Sequence, residues 1–357
     1  MEKRRNLQAY VGNIQQLAYV RPLVFADGRA TGLSAWQVRN GPLEYTILSG
    51  KCLDISELSY KGINLSFLAK PGLMGRNHFD THGQEALRSI MGGFLFTSGM
   101  ENICPPCTDQ GVEYPMHGRL RSTPAEHAGA DAYWDGDEYR IVVKGEMREA
   151  ELFGENLLLR RRIETIYGQS SFRIIDEVTN EAFRPEPLML LYHFNIGYPL
   201  LSESCRLILP SMKVEPRDEI SSRKADRCLT MDPPQENAPE SVFGHDLATD
   251  AEGNTFVAVW NEALKLGLKI SFNKKQLPMF FEWKSTAAGD YALGLEPANS
   301  SVLGRLEHQR RGDLHMIEPF ATERYELEIC IFDTQAALQL VEAESAALIS
   351  TTKGKVP

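Results

Sequence analysis

The stretch Pro187-Leu-Met-Leu-Leu-Tyr-His193-Phe-Asn195-Ile-Gly-Tyr-Pro199 decides how this chain is read. It is a hydrophobic run with one histidine and one asparagine near its middle. Read as a strand, it sends alternate side chains to opposite faces. Leu191, His193 and Asn195 then share one face, and Tyr192 and Phe194 share the other. Two polar groups inside an apolar strand are costly to bury unless they are hydrogen-bonded or put to use. Alone, His193 reads as a satisfied core histidine. The rest of the chain decides whether it does more.

Outward from that stretch, the pattern is strand after strand. Gly41 to Gly50, Cys52 to Leu58 and Tyr60 to Leu65 read as strands before it, as do Gly92-Gly-Phe-Leu-Phe-Thr97, Glu138 to Lys144, Leu157 to Ile166 and Ser171 to Thr179. Thr255 to Trp260, Leu266 to Phe272, Met279 to Trp283, Tyr291 to Glu296 and Tyr325 to Phe332 read as strands after it. In the 171–179 run, Phe172, Ile174, Asp176 and Val178 share a face. Arg160 to Arg162 reads as a solvated stretch paired with acidic neighbours. Pro71 to Gly83 reads as a loop, and 211–245 as a long excursion with weak periodicity. Only the C-terminus reads as clearly helical, with Asp333-Thr334 as its cap and Ala337, Leu338, Val341, Ala346 and Leu348 as its apolar positions. The expectation is a mainly β chain, one large antiparallel domain over 1–357, with a core of about 32–332 and a short C-terminal helix and tail over 333–357.

Composition narrows the function. A net charge of −10 argues against a general nucleic-acid binder, which needs a basic stripe. No apolar run is long enough to span a membrane, and no apolar segment follows the basic start, so neither membrane nor secretion is expected. Six cysteines in 357 residues suit a reducing cytoplasm. Cys104-Pro-Pro-Cys107 has the spacing of half a zinc site, but no second such pair exists, so loop cysteines are expected. The stretch 99–127 lacks regular patterning and holds aromatic, His and Arg residues, which suits a functional loop.

Three polar positions stand out within the apolar frame: His117, in Tyr114-Pro-Met-His-Gly-Arg-Leu-Arg121; His193; and Glu296, in Leu293-Gly-Leu-Glu-Pro-Ala-Asn299. Glu296 shares a strand face with the small residues Gly294 and Ala292, which leaves room beside its carboxylate. The sequence resembles the aldose 1-epimerase (galactose mutarotase) superfamily at these places. Tyr192-His193-Phe194-Asn195 is similar to the strand that carries that family's catalytic acid. Leu295-Glu296-Pro297 is similar to the motif that carries its base. Gly92-Gly93 followed by His117-Gly-Arg-Leu-Arg121 is similar to elements of the glucose-6-phosphate 1-epimerase branch, where the histidine binds sugar. The order agrees, with 76 residues between the histidines and 103 from His193 to Glu296. Met91 stands where that branch often has arginine, and Arg88, Arg76 or neither takes its role. The resemblance covers roughly 32–332 and implies a galactose mutarotase-like β-supersandwich.

It also implies a cofactor-free isomerase. Interconverting sugar anomers means opening a cyclic hemiacetal, with a base on the anomeric hydroxyl and an acid at the ring oxygen. Glu296 is the expected base and His193 the expected acid, because an unperturbed imidazole titrates near physiological pH. His117 would hold a hydroxyl or assist at the ring oxygen. Arg119, Arg121, Asp176, Asn195, Lys284, Trp283 and Arg88 are candidate substrate contacts. Arginines suit phosphate, sulfonate or carboxylate, so the carbohydrate partner can be neutral or anionic. Asp176 reads equally as a paired structural residue, Lys284 as a surface lysine and Trp283 as core. Two other readings remain open: a sugar binder of the same fold without turnover, and a metal-dependent sugar isomerase using His78 and His82. Oligomeric state is not legible.

Overall fold

The Met189–Ile196 strand lies between Asp290–Ala298 and Leu95–Met100 in a six-stranded antiparallel sheet. Met279–Ala287, Ser241–Leu247 and Ser211–Pro216 complete it beyond Asp290–Ala298. The structure is a computed structural model and describes residues 2–75 and 83–353. His78, His82 and Arg76 lie outside the described residues.

The inner face of this sheet packs on an eight-stranded antiparallel sheet. Its order is Cys205–Ile208, Asn254–Asn261, Leu266–Asn273, Thr322–Phe332, Ser171–Asn180, Asn156–Ile166, Glu138–Ala150 and Glu126–Asp135. Alternation places Tyr192 and Phe194 at that junction, as expected. Phe94 bridges the layers, 5.5 Å from Phe194 and 6.2 Å from Phe172 between ring centroids. A five-stranded sheet, from Tyr19–Val24 through Ser34–Arg39, Leu43–Leu48 and Asp54–Tyr60 to Ile63–Asn64, joins the same core, with Tyr45 stacked on Phe172. The chain is thus mostly β, in antiparallel sheets, as the sequence predicts.

One arginine of the Arg160–Arg162 triple departs from the solvated reading. Arg160 and Arg162 do pair with acidic neighbours at the surface. Arg161 alternates inward and is fully buried, bonding Asp54 at 3.0 Å and Asp176 at 2.7 Å. Asp176 also accepts from the Tyr192 hydroxyl at 2.7 Å, and Asp54 from Thr97 Oγ1 at 2.6 Å. This charged pillar ties all three sheets together. Burial pushes the Asp54 carboxyl up to about 6, against the pull of Arg161.

Two further expectations need correction. The 211–245 excursion contains two strands of the six-stranded sheet, Ser211–Pro216 and Ser241–Leu247, whose pairing slips between Ser211 and Lys213. That irregularity hides the period-two signal. Helices also occur at Glu2–Tyr10 and Arg305–Arg311. The C-terminal helix, Gln335–Lys353, starts where expected: Thr334 Oγ1 accepts from the Ala337 N–H at 3.1 Å. Its Leu338 and Val341 pack on Trp260 and Phe332.

Candidate active site

Strand pairing brings the polar positions together. Phe96 pairs with His193 on one side, and Gly294 pairs with Asn195 on the other. Trp283 pairs with Gly294 in turn. His193 Nε2 lies 3.0 Å from Glu296 Oε1; Glu296 is buried and His193 partly so. Among the described residues, His193 Nδ1 and Glu296 Oε1 are buried without a well-aligned hydrogen bond. Such atoms call for an explanation in a folded protein, and a role toward a substrate is one. Gly294 makes the pair possible: a Cβ there would stand 2.7 Å from Glu296 Oε1 and 2.8 Å from His193 Cε1.

His117 reaches the same place from the irregular segment. Its ring lies 6.2 Å from that of His193 and 5.5 Å from Phe96. The turn that presents it has φ of 58° at His117 and 70° at Gly118. Any Cβ at Gly118 would fall 2.0 Å from the Gly99 carbonyl oxygen, so the turn needs glycine there. Asn102 donates to the Pro105 and Pro115 carbonyls and braces this loop. Ser98 Oγ sits 3.0 Å from His117 Nδ1 and donates to the His117 carbonyl at 3.2 Å. Burial pushes the His117 imidazole down to about 3, helped by nearby His193 and Arg121. His117 is therefore neutral near pH 7 and offers a hydrogen bond rather than a charge.

His117, His193 and Glu296 line a cavity of about 1090 Å³ together with Phe96, Asn195 and Trp283. Asn195 donates to the Gly93 carbonyl at 3.0 Å, and Trp283 Nε1 to Glu240 at 2.8 Å. The rim carries charge of both signs. Arg217 pairs with Glu240 at 2.9 Å, and Lys70 with Asp290 at 2.5 Å. Arg88 pairs with Glu85 at 2.8 Å, and Arg29 donates to the Arg88 carbonyl.

Several sequence candidates lie elsewhere. Asp176 is on the inner layer, locked in the Arg161 pillar. Lys284 points away from the cavity, because its neighbour Trp283 takes the cavity face. It donates to the Thr230 carbonyl at 2.8 Å and pairs with Glu282 at 3.0 Å. Arg119 pairs with Glu101 at 3.0 Å and sits over Tyr114, outside the cavity lining. Burial and the carboxylates of Glu149 and Glu155 push Glu101 up to about 8. Arg121 is buried behind His117, 3.4 Å from Ser89 Oγ, and is also outside the lining. Leu191 shares the His193 face but packs with Ile103, Met189 and Ala298. The sequence reading missed Phe96, although its run, opened by Gly92 and Gly93, reads as a strand. It also missed Arg217 and Glu240, which lie in the stretch read as an excursion.

The six cysteines are free thiols, and Cys104 borders the cavity. Among the described residues, one trio has metal-ligand geometry: Cys228, His245 and Glu282, with donor atoms within 4.8 Å of one another. It lies off the cavity, and Lys284 already supplies its positive charge, so a cation would be repelled there. No helix among the described residues is long and apolar enough to cross a membrane.

The chain shares its fold with solved galactose mutarotase-like β proteins. It superposes on a candidate aldose 1-epimerase from Klebsiella pneumoniae with a TM-score of 0.87, over 94% of this chain and 92% of that one, at 21% identity. A galactose mutarotase-like protein from Clostridium acetobutylicum follows at 0.61, with 14% identity over 89% of this chain and 100% of that one. Galactose 1-epimerase from Lactobacillus acidophilus gives 0.53, with 10% identity over 89% and 100%. At these identities the likeness shows the fold alone. By sequence, the chain belongs to the family described as a domain of unknown function (DUF4432), which matches residues 30–331. A search of curated proteins finds no match.

Proposed function

We propose that the protein interconverts the anomers of a sugar or sugar derivative by acid/base ring opening. One observation carries the reading: His193 and Glu296, 3.0 Å apart, open on a cavity large enough for a sugar. The anomeric and ring oxygens are bonded to the same carbon. The base and acid that serve them must therefore be neighbours.

Glu296 takes the proton from the anomeric hydroxyl, whose oxygen becomes the aldehyde carbonyl. The bond from C1 to the ring oxygen breaks, and its electron pair takes a proton from His193. Rotation about C1–C2 turns the aldehyde, and the same steps in reverse close the ring on its other face. On closure Glu296 returns its proton to the anomeric oxygen, and His193 recovers its own from the hydroxyl that becomes the ring oxygen again. Neutral His117 donates to or accepts from a sugar oxygen, with Ser98 fixing its ring. Trp283 and Phe96 offer apolar surface to the sugar's C–H face. Arg29, Arg88 and Arg217 at the rim support tolerance of an anionic substituent. The six free thiols support the proposed cytoplasmic location.

The test is anomer exchange followed by NMR over neutral, phosphorylated and acidic sugars, with Glu296→Gln as control. Loss of a positioned acid or base removes about 10²- to 10⁴-fold in rate. Wild-type exchange in folded Glu296→Gln sinks the assignment. Sugar binding by the wild type without exchange points to the non-catalytic binder.

A further inference from the structure

The five-stranded sheet carries a second cavity, of about 570 Å³, on its polar face. Cross-strand register puts Gln37 opposite Thr46, Glu44 opposite Ser59, and Thr46 opposite Glu57, so these side chains share one face. Gln37 Nε2 donates to Glu44 Oε1 at 2.8 Å, which orients both. Tyr198 stands over this floor with 74% of its surface exposed. Its main chain is fixed, because its carbonyl accepts from Asn64 Nδ2 at 2.7 Å. Tyr291 forms another wall and donates its hydroxyl to the Asp232 carbonyl at 2.7 Å.

The lining chemistry is selective. Carboxylates, amides and hydroxyls offer hydrogen-bond partners to a polyol, and tyrosine rings offer flat apolar surface to C–H faces. No Lys, Arg or His is among the described residues that line it, and Lys70, beside Gly289, is already paired with Asp290, so the lining favours a neutral ligand over an anionic one. A neutral sugar ring fits both facts.

The two cavities are also neighbours. Phe67 lines both. Its N–H donates to the Asn195 carbonyl at 3.1 Å, and its carbonyl accepts from Gly93 N–H at 2.8 Å. Its ring packs so closely on Gly92 that a Cβ there would stand 2.9 Å away. The two cavities thus meet at the segment around Phe67, which is pinned to the same Asn195 that borders the acid/base pair.

We infer that the second cavity binds the adjoining neutral ring of a reducing disaccharide or oligosaccharide, whose reducing end lies at Glu296 and His193. The substrate class is then a short glycan rather than a lone monosaccharide. This rests on the mutarotase reading, and the experiment separates the two.

Anomer exchange of maltose, cellobiose and lactose is compared with that of glucose and galactose, for wild type, Tyr198→Ala and Glu57→Ala. Tyr198 and Glu57 are exposed, so both variants should fold, which melting curves check. The expected result is that the ratio of disaccharide to monosaccharide kcat/KM falls roughly three- to tenfold in Tyr198→Ala, the size of an aromatic contact, through KM. A ratio unchanged in both variants overturns the inference and leaves the mutarotase reading standing. Binding of the methyl glycosides of these disaccharides, which cannot open, is measured by calorimetry in parallel. Binding weakened by Tyr198→Ala, with no exchange of any sugar by wild type, keeps the glycan groove and overturns mutarotation. Neither binding nor exchange overturns both.

Discussion

Gly294→Ala tests whether the His193–Glu296 contact does the chemistry. The new methyl would stand 2.7 Å from Glu296 Oε1 and 2.8 Å from His193 Cε1, with Trp283 Cβ at 3.1 Å. Non-bonded contacts settle near about 3.5 Å, so carboxylate and imidazole must each retreat by roughly 0.7 Å. Both are ends of side chains, so the strand can stay where it is. The overpacking should cost about 1–3 kcal/mol of stability. The catalytic cost is larger in kind, because a misplacement of about 1 Å can reduce a rate by about 10²-fold. NMR anomer exchange gives the rate, and thermal melting shows that the variant is folded. The loss should appear in kcat, because the cavity walls stay in place. A folded Gly294→Ala protein with wild-type exchange would refute the role given to this contact.

Other expectations follow from the same geometry. Arg161→Met leaves Asp54 and Asp176 buried without their cation, and should destabilise by about 3–5 kcal/mol in urea unfolding; a change under 1 kcal/mol contradicts the pillar. His117 should make stability fall with acid. The unfolded chain takes up its proton near pH 6.5, while the folded imidazole waits until about 3, so this contribution is whole above pH 6.5 and drains away as pH falls to 3. At 1.36 kcal/mol per unit the loss is at most about 2 kcal/mol at pH 5, less where His117 touches the cavity's solvent. His117→Gln should flatten that slope, and an identical slope in both proteins argues against it. Exchange should survive dialysis against EDTA in full; its loss would favour the metal-dependent isomerase.

Much of the architecture is legible because strands announce themselves by β-branched and aromatic runs between glycines. What is not legible is which face of a strand looks where. Met189–Ile196 is buried along almost its whole length on both faces, so hydropathy cannot tell the His193 side from the Tyr192 side. Asp176 and Arg161 show the same limit: each looks like a surface or ligand charge until its partner, 15 residues away in sequence, is placed beside it. Lys284 was given to the cavity although Trp283, its neighbour, was a candidate too; period two allows only one of them. His117, His193 and Glu296 stood out because a polar residue in an apolar frame needs a reason, and motif order supplied one. Arg217 and Glu240 had no such frame.

The charged pillar behind the cavity has a consequence for engineering. Tyr192 hangs from Asp176, and Thr97 from Asp54. Their neighbours His193 and Phe96 face the other way, into the cavity. Anchorage and chemistry thus alternate residue by residue along the same two strands. A mutant library that varies Phe96 and Trp283 while fixing Thr97, Tyr192 and Asp176 can therefore reshape the cavity without loosening the scaffold.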